Sequence, residues 1–257
     1  MSRTYKESRP EGTPRLLDKD QTTNNRSQYP KVILGTHVDD LLGIAPTEKD
    51  LDALETGMEN HVELDKQGRP SNMLGMELHW AEGQVVLTQT RLIESMADQH
   101  LNRNHGGRHS LPSDLKAYLQ DENTKKDPPP NYQSLIGGLL FIARMTRPEI
   151  SVHVNLLERR AKDASQIHWN TALQVLRYLV STKTEGLALK KSPMTDLSLK
   201  IYTDAVYGGE GSRGQTGALM CLGDQLVGWY SQRQDVVTLS VTEAEYIADC
   251  ERAKDAS

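Results

Sequence analysis

The chain has little cysteine and no long apolar run, and both shortages exclude whole classes of protein. Its 257 residues contain two cysteines, Cys221 and Cys250, and neither stands in a C-x-x-C pair or beside a histidine at ligand spacing. We therefore expect neither a disulfide framework nor a structural zinc site. The N-terminal residues lack the apolar segment of a signal peptide, and no run approaches the ~18 apolar residues that a membrane helix needs. These absences predict a soluble intracellular protein, cytoplasmic or nuclear, with no membrane partner.

The chain also lacks an overall excess of positive charge. Its formal net charge is -5, so any footprint for nucleic acid must be local. One basic segment stands out, at 144–183, with seven basic and three acidic residues and a net charge of +4. Its candidate phosphate contacts are Arg144, Arg147, Arg159, Arg160, Lys162 and Arg177. The charges alone fit a solvated helical face as well as a binding surface.

The first hundred residues predict a disordered start followed by two hairpin and helix pairs. Residues 1–30 are polar and show no period of 2 or 3.6, which predicts disorder. From Lys31 a β-branched run predicts a hairpin with Asp39 and Asp40 at its tip. A helix follows over 47–62, with Thr47 as its N-cap. A second hairpin, at 73–80 and 84–89, leads into a helix over 91–101.

The rest of the chain predicts a helical region followed by strands. Glycines, polar residues and a triple proline make 102–131 a linker. Apolar periodicity then predicts helices over 132–145, 148–161 and 168–182. Strands follow at 197–205, at 216–223 and up to Ser240, before a helix that begins at Thr242. The order of elements predicts an α+β fold.

The pair Asp39 and Asp40 is the clearest candidate for chemistry. Two adjacent carboxylates are costly to hold together as anions unless a cation such as Mg²⁺ neutralises them. Most Asp-Asp dipeptides are turns or helix caps, however. A phosphorelay receiver domain also begins with a strand and Asp-Asp, but it needs an aspartate at the end of the next core strand, and neither following strand supplies one.

Six ordered segments resemble the Pol polyprotein of copia-type LTR retrotransposons, in its reverse transcriptase and ribonuclease H region. HVDDLL is similar to that family's YVDDLL box, MLGMEL to its FLG-x-E-I strand, and VVLTQ to its I-x-L-S-Q entry into the thumb. YQSLIGGLLFIARMTRP resembles its Y-x-x-x-V-G-x-L…T-R-P segment, and LRYLVSTKTEGL its L-R-Y-L-x-x-T-x-x-x-G-L segment. IYTDA with WYSQRQDVVTLSVTEAEY resembles its Y-x-D-A-D and W-x-S-x-x-Q…S-S-T-E-A-E-Y. The match covers about residues 31–257.

The resemblance implies an architecture and a set of functional residues. It implies a partial palm and the start of a thumb at 31–101, a helical thumb or connection at 132–190, and an incomplete ribonuclease H-like α/β domain at 191–257. Asp39 and Asp40 would be polymerase metal ligands, and Asp204 and Glu245 ribonuclease H ligands. The ion would be Mg²⁺, with Mn²⁺ as the alternative. RNA template, DNA primer, RNA:DNA hybrid and the rest of the Pol polyprotein would be the partners.

Departures from the family pattern lower the expected activity of the chain by itself. The family takes a third polymerase carboxylate from well over a hundred residues upstream, whereas 38 residues precede Asp39, and the later ribonuclease H carboxylates are missing too. His37 replaces a tyrosine and Val206 an aspartate. Glu245, preferred to Glu243 as the ligand, also fits a capping box with Thr242. We expect an inactive fragment or, alternatively, a decayed element fragment that binds nucleic acid weakly without catalysis.

Overall fold

The computed structural model describes residues 2–8, 32–38, 40–45, 47–101, 107–113, 129–191, 198–208 and 213–253, with the backbone alone at 2–8 and 251–253. The chain divides into two compact units, Met1–Met73 and Leu74–Ser257. Asp39 and most of the expected linker lie outside the described residues.

The first unit contains a four-stranded antiparallel sheet, one helix and a short fifth strand outside that sheet. Its elements are β1 (Ser2–Ser8), β2 (Ile33–His37), β3 (Asp40–Ile44), α1 (Glu48–Glu59), β4 (Glu63–Gly68) and β5 (Asn72–Met73). The order of the four longer strands is β2-β3-β1-β4. β1 corrects the expectation of disorder for residues 2–8. Its partners β3 and β4 are distant in sequence, so pairing and not a local period determines this strand.

Helix α1 begins where its capping residue predicts. The Thr47 hydroxyl accepts a hydrogen bond from the Asp50 amide, 3.3 Å away, which confirms Thr47 as the N-cap. The helix buries Leu51 and the Glu55 carboxylate. Lys66 of β4 neutralises that carboxylate at 3.1 Å and also reaches Glu59 at 2.8 Å. Hydrogen bonds to Glu59 and then Glu55 raise the pKa of the Lys66 ammonium.

The second unit begins with a small sheet on a helical core. Its first elements are β6 (Met76–Ala81), β7 (Gln84–Thr88), α2 (Thr90–His100), α3 (Tyr132–Met145), a 3₁₀ turn (Pro148–Ile150), α4 (Ser151–Glu158), α5 (Gln166–Ser181) and β8 (Leu187–Lys190). β7 pairs antiparallel with both β6 and β8. The apolar faces of α2, α3, α4 and α5 form the main core, around residues such as Ile93, Leu139, Leu157 and Leu176.

The second unit ends in three antiparallel strands and a helix. These are β9 (Leu199–Val206), β10 (Arg213–Leu222), β11 (Gln225–Val237) and α6 (Val241–Ala253), in the sheet order β11-β10-β9. Ala244 and Ala248 of α6 pack against Ala205 of β9. Small side chains on both sides let the helix lie close on the sheet.

Several predicted elements are confirmed and others are corrected. The helix over 132–145 has the predicted bounds, whereas the segment predicted as one helix over 148–161 is a 3₁₀ turn and a helix that ends at Glu158. The residues from 74 to 101, expected to belong with 31–73, lie in the second unit. They do so because β7 pairs with β8 and α2 packs in the helical core. No local sequence pattern predicts these long-range contacts. None of the described helices is both long and apolar enough to cross a membrane.

Candidate functional site

Asp40 lies at the tip of the predicted hairpin. It is the first residue of β3, is half-buried, and pairs across the hairpin with His37 of β2. The turn between the strands holds Val38 at a φ of 52°, in the left-handed region that a β-branched residue rarely adopts. The hairpin itself is confirmed. Its second candidate carboxylate, Asp39, lies outside the described residues.

Asp204 is an exposed residue of β9 that accepts a hydrogen bond from the backbone N–H of Ala205 at 2.9 Å. Its two chain neighbours face α6: Ala205 packs against the helix, and the Thr203 hydroxyl donates to the Asp249 carboxylate. Side chains alternate between the two faces of a strand. The Asp204 carboxylate therefore lies on the face of the sheet opposite α6, where it lines a groove.

Glu245 is exposed on α6 and is not the capping residue of this helix. The Glu243 amide donates to the Ser240 hydroxyl at 3.1 Å, and the Leu239 amide donates to the Glu243 carboxylate at 2.6 Å. The capping pair is thus Ser240 and Glu243, two residues earlier than the pair Thr242 and Glu245 considered from sequence. This arrangement occupies Glu243 and leaves Glu245 available for another role.

The described carboxylates do not fit a metal centre. No group of three or more His, Cys, Asp or Glu side chains with metal-binding geometry occurs in the described ranges. Glu245 lies on α6, whereas Asp204 faces away from that helix. Two-metal catalysis requires ligands that converge on ions about 3.5 to 4 Å apart. The described carboxylates therefore do not converge on a common site for Mg²⁺ or Mn²⁺.

A buried carboxylate, overlooked in the sequence, holds the start of α2. Glu77 of β6 accepts hydrogen bonds from the Thr90 amide at 2.7 Å, the Arg91 amide at 3.2 Å and the Thr88 hydroxyl at 2.9 Å. The N-cap residue Gln89 makes no side-chain capping bond, so Glu77 satisfies these free amides from the neighbouring strand. A negative charge there also favours the helix dipole.

A second set of contacts joins α3, α5 and the β7–α2 connection. The Thr146 hydroxyl donates to the Gln89 side-chain carbonyl at 2.8 Å. The buried Arg147 donates to the Thr182 carbonyl at 3.0 Å and the Thr182 hydroxyl at 2.7 Å, and to Glu149 at 2.6 Å. Its guanidinium lies 5.5 Å from the centre of the Tyr178 ring, a cation–π contact.

The residues in these two sets come from four of the sequence segments that carry the resemblance. We call Glu77, Thr88, Gln89, Thr146, Arg147 and Thr182 the junction residues. They are far apart in the chain but form hydrogen bonds that connect β6, β7, α2, α3 and α5. In this chain the junction residues therefore hold secondary-structure elements of the second unit together.

The six candidate phosphate contacts do not form one surface. Arg147 is 2% exposed and belongs to the junction, which removes it from the set. Arg159 donates to Asn155 at 3.2 Å and to Gln215, and Arg160 pairs with Asp163 at 3.0 Å. Burial lowers the pKa of Arg159, and the charge of Arg233 lowers it further. Arg144 and Lys162 are exposed, and Arg159, Arg160 and Arg177 are half-buried.

Comparison with known proteins places the chain in a family. No family model matches it. It is 30% identical over 225 residues to protein YCL074W of transposon Ty5-1 from Saccharomyces cerevisiae, an alignment covering 86% of this chain and 72% of that protein. It is 38% identical over 125 residues to the retrovirus-related Pol polyprotein from transposon RE2 of Arabidopsis thaliana, covering 48% of this chain. The corresponding Pol polyprotein from transposon TNT 1-94 of Nicotiana tabacum is 28% identical over 237 residues, or 87% of this chain.

All three relatives are named as proteins of transposons. The chain belongs to the retrotransposon Pol polyprotein family. It spans 8% of the length of the RE2 polyprotein and 17% of the TNT 1-94 polyprotein.

Proposed function

We propose that this chain is the copia-type Pol segment that runs from the palm hairpin of a reverse transcriptase, through thumb and connection, into ribonuclease H. In this proposal the fold class is α+β, with a partial palm around Asp40 and a ribonuclease H-like portion from β9 to α6. The observation that carries it is the junction, because residues from four family-like segments contact one another in one place. Chance matches to a pattern would not be expected to meet in space.

The function proposed for the chain alone is binding of RNA:DNA hybrid or primer–template without catalysis. Arg144, Lys162 and Arg177 supply charge that phosphates can reach. Such contacts fix a duplex in position without selecting its sequence. In the longer polyprotein, Asp39 and Asp40 would be the polymerase ligands of Mg²⁺ or Mn²⁺, and Asp204 and Glu245 those of ribonuclease H. The described carboxylates do not converge on one site.

A labelled RNA template with a DNA primer tests the proposal when the chain, Mg²⁺ and nucleotides are present together. We expect a retarded complex in a native gel, with a dissociation constant of roughly 10⁻⁶ to 10⁻⁴ M, typical of non-specific binding. In the same samples, denaturing gels should show neither an extended primer nor cleaved RNA, because the carboxylates that the structure describes do not converge on one site.

The matched control is the double variant Asp39→Asn, Asp40→Asn. It should bind as tightly as the parent chain or slightly more tightly, since two negative charges are removed. Templated extension that this variant abolishes would show that the chain is a polymerase by itself. Failure of the parent chain to form any complex would refute the binding function.

A further inference from the structure

A groove in the second unit separates the 3₁₀ turn and α4 from one face of the β9–β11 sheet. Its volume is about 330 Å³. The sheet side is formed by Tyr202, Asp204, Gln215, Leu219, Trp229 and Ser231. The Trp229 indole donates to the Ala143 carbonyl at 2.6 Å, which fixes the sheet against α3. The groove therefore has a defined wall that combines aromatic, polar and acidic groups.

Gln215 lies at one end of this wall and is held in a hydrogen-bond cluster. Its amide nitrogen donates to the Ser231 hydroxyl at 2.6 Å and to the Asn155 carbonyl at 3.1 Å. Its carbonyl accepts from Arg159, whose guanidinium also donates to Asn155. Among the described residues, Arg159 thus bonds two neutral oxygens, which orient its positive charge and do not cancel it.

A second arginine lies beside this cluster. Arg233 is the cross-strand partner of Gln215, and it follows Trp229 and Ser231 at every second position along the groove face of β11. Arg233 is exposed. Burial is the largest cause that lowers the pKa of Arg159, and the positive charge of Arg233 lowers it further. The opposing effect of Glu158 is smaller. Arg159 bonds the side chain of Gln215, and Arg233 is the cross-strand partner of the same residue, so these two like charges are neighbours. Like charges repel each other, and an anion between them would relieve the cost.

The geometry points to a phosphate-binding pair: Arg159 and Arg233 together hold one phosphate of a nucleic-acid backbone at the Gln215 end of the groove. The inference rests on the proposed nucleic-acid function and adds to it a residue from outside the basic segment. Asp204 lies opposite Gly217, two residues along the sheet from the row of Gln215 and Arg233, and two strands from β11. Two spacings between β-strands are about 10 Å, so a nucleic-acid strand whose phosphate is bound by the two arginines could pass over Asp204.

Arg233→Ala tests the pair, because this exposed side chain can be removed without opening the core. We expect its affinity for an RNA:DNA hybrid to fall about tenfold, the effect of losing one charged hydrogen-bonding contact. The slope of log affinity against log salt should become shallower by about 0.9, one phosphate fewer. Arg233→Lys should recover part of the affinity. Arg91→Ala, an exposed arginine on α2, should leave both quantities unchanged.

A second measurement needs no nucleic acid. Inorganic phosphate should raise the melting temperature of the parent chain above its value in sodium chloride of equal ionic strength, since a bound anion stabilises the folded state. Arg233→Ala should lose this rise and Arg91→Ala should keep it. If phosphate stabilised the Arg233→Ala variant as much as the parent, the proposal that Arg159 and Arg233 bind a phosphate together would be overturned. An Arg233-dependent rise without any hybrid binding would support the anion site while refuting the nucleic-acid function.

Discussion

Replacing Gly186 by alanine is expected to lower the unfolding free energy by about 4 kcal/mol or more, at the upper end of single-residue effects. Gly186 precedes β8, and a Cβ atom there would overlap the carbonyl of Leu87 in β7. Leu87 pairs with Leu187 in the ladder that joins the two strands. The obstacle is backbone, so no side-chain rotation can relieve it. Urea unfolding followed by far-UV circular dichroism measures the change.

Gly137→Ala is the matched control for this prediction. Gly137 lies on α3 with nothing within 4 Å of the position its Cβ would take. Alanine favours a helix interior over glycine by roughly 0.8 to 1 kcal/mol, so this variant should be slightly more stable than the parent. If Gly186→Ala unfolded at the parent's urea midpoint, β7 and β8 could not be paired as described.

Replacing Arg147 by alanine is expected to cost about 3 kcal/mol of unfolding free energy. The change removes charged hydrogen bonds to Thr182 and to Glu149 and leaves a cavity beside Tyr178. Arg147→Lys should restore little, because an ammonium group cannot reproduce the planar arrangement of guanidinium donors. Arg144→Ala, three residues earlier on an exposed position, should change stability by less than about 0.5 kcal/mol.

Denaturant midpoints of the three variants test this prediction. The same experiment decides between two roles for Arg147. A phosphate-binding arginine would leave stability unaltered and weaken only the affinity for nucleic acid. Equal stability of the Arg147→Ala and Arg144→Ala variants would therefore contradict the junction.

Local signals predicted much of the secondary structure. Thr47 marks the start of α1 because capping depends on residues three positions apart, and α3 has its predicted bounds because its apolar run is continuous. β1 was missed because its order comes from partners in β3 and β4. The division after Met73 was missed for the same reason, since the pairing of β7 with β8 joins residues about a hundred positions apart.

The candidate site was harder to predict, because sequence gives the type of a side chain but not its direction. Arg144 and Arg147 count equally in a charge sum, yet one is exposed and the other buried. Asp204 and Glu245 share a motif-based role, but strand alternation turns Asp204 away from the helix that carries Glu245. Arg233 has no local signal, since its relation to Arg159 arises from the register of β10 with β11. The role of Glu77 is recognisable only from the hydrogen bond that its carboxylate accepts from the first amide of α2.

The most direct test of the central claim is the salt dependence of hybrid binding by the parent chain. Fluorescence anisotropy of a labelled RNA:DNA hybrid gives the affinity at a series of salt concentrations. If the chain holds nucleic acid through phosphates, log affinity should fall linearly with log salt, by about 0.9 for each phosphate neutralised on a B-form duplex and similarly on a hybrid. Affinity that does not change with salt, or no binding even at about 50 mM salt, would contradict the account.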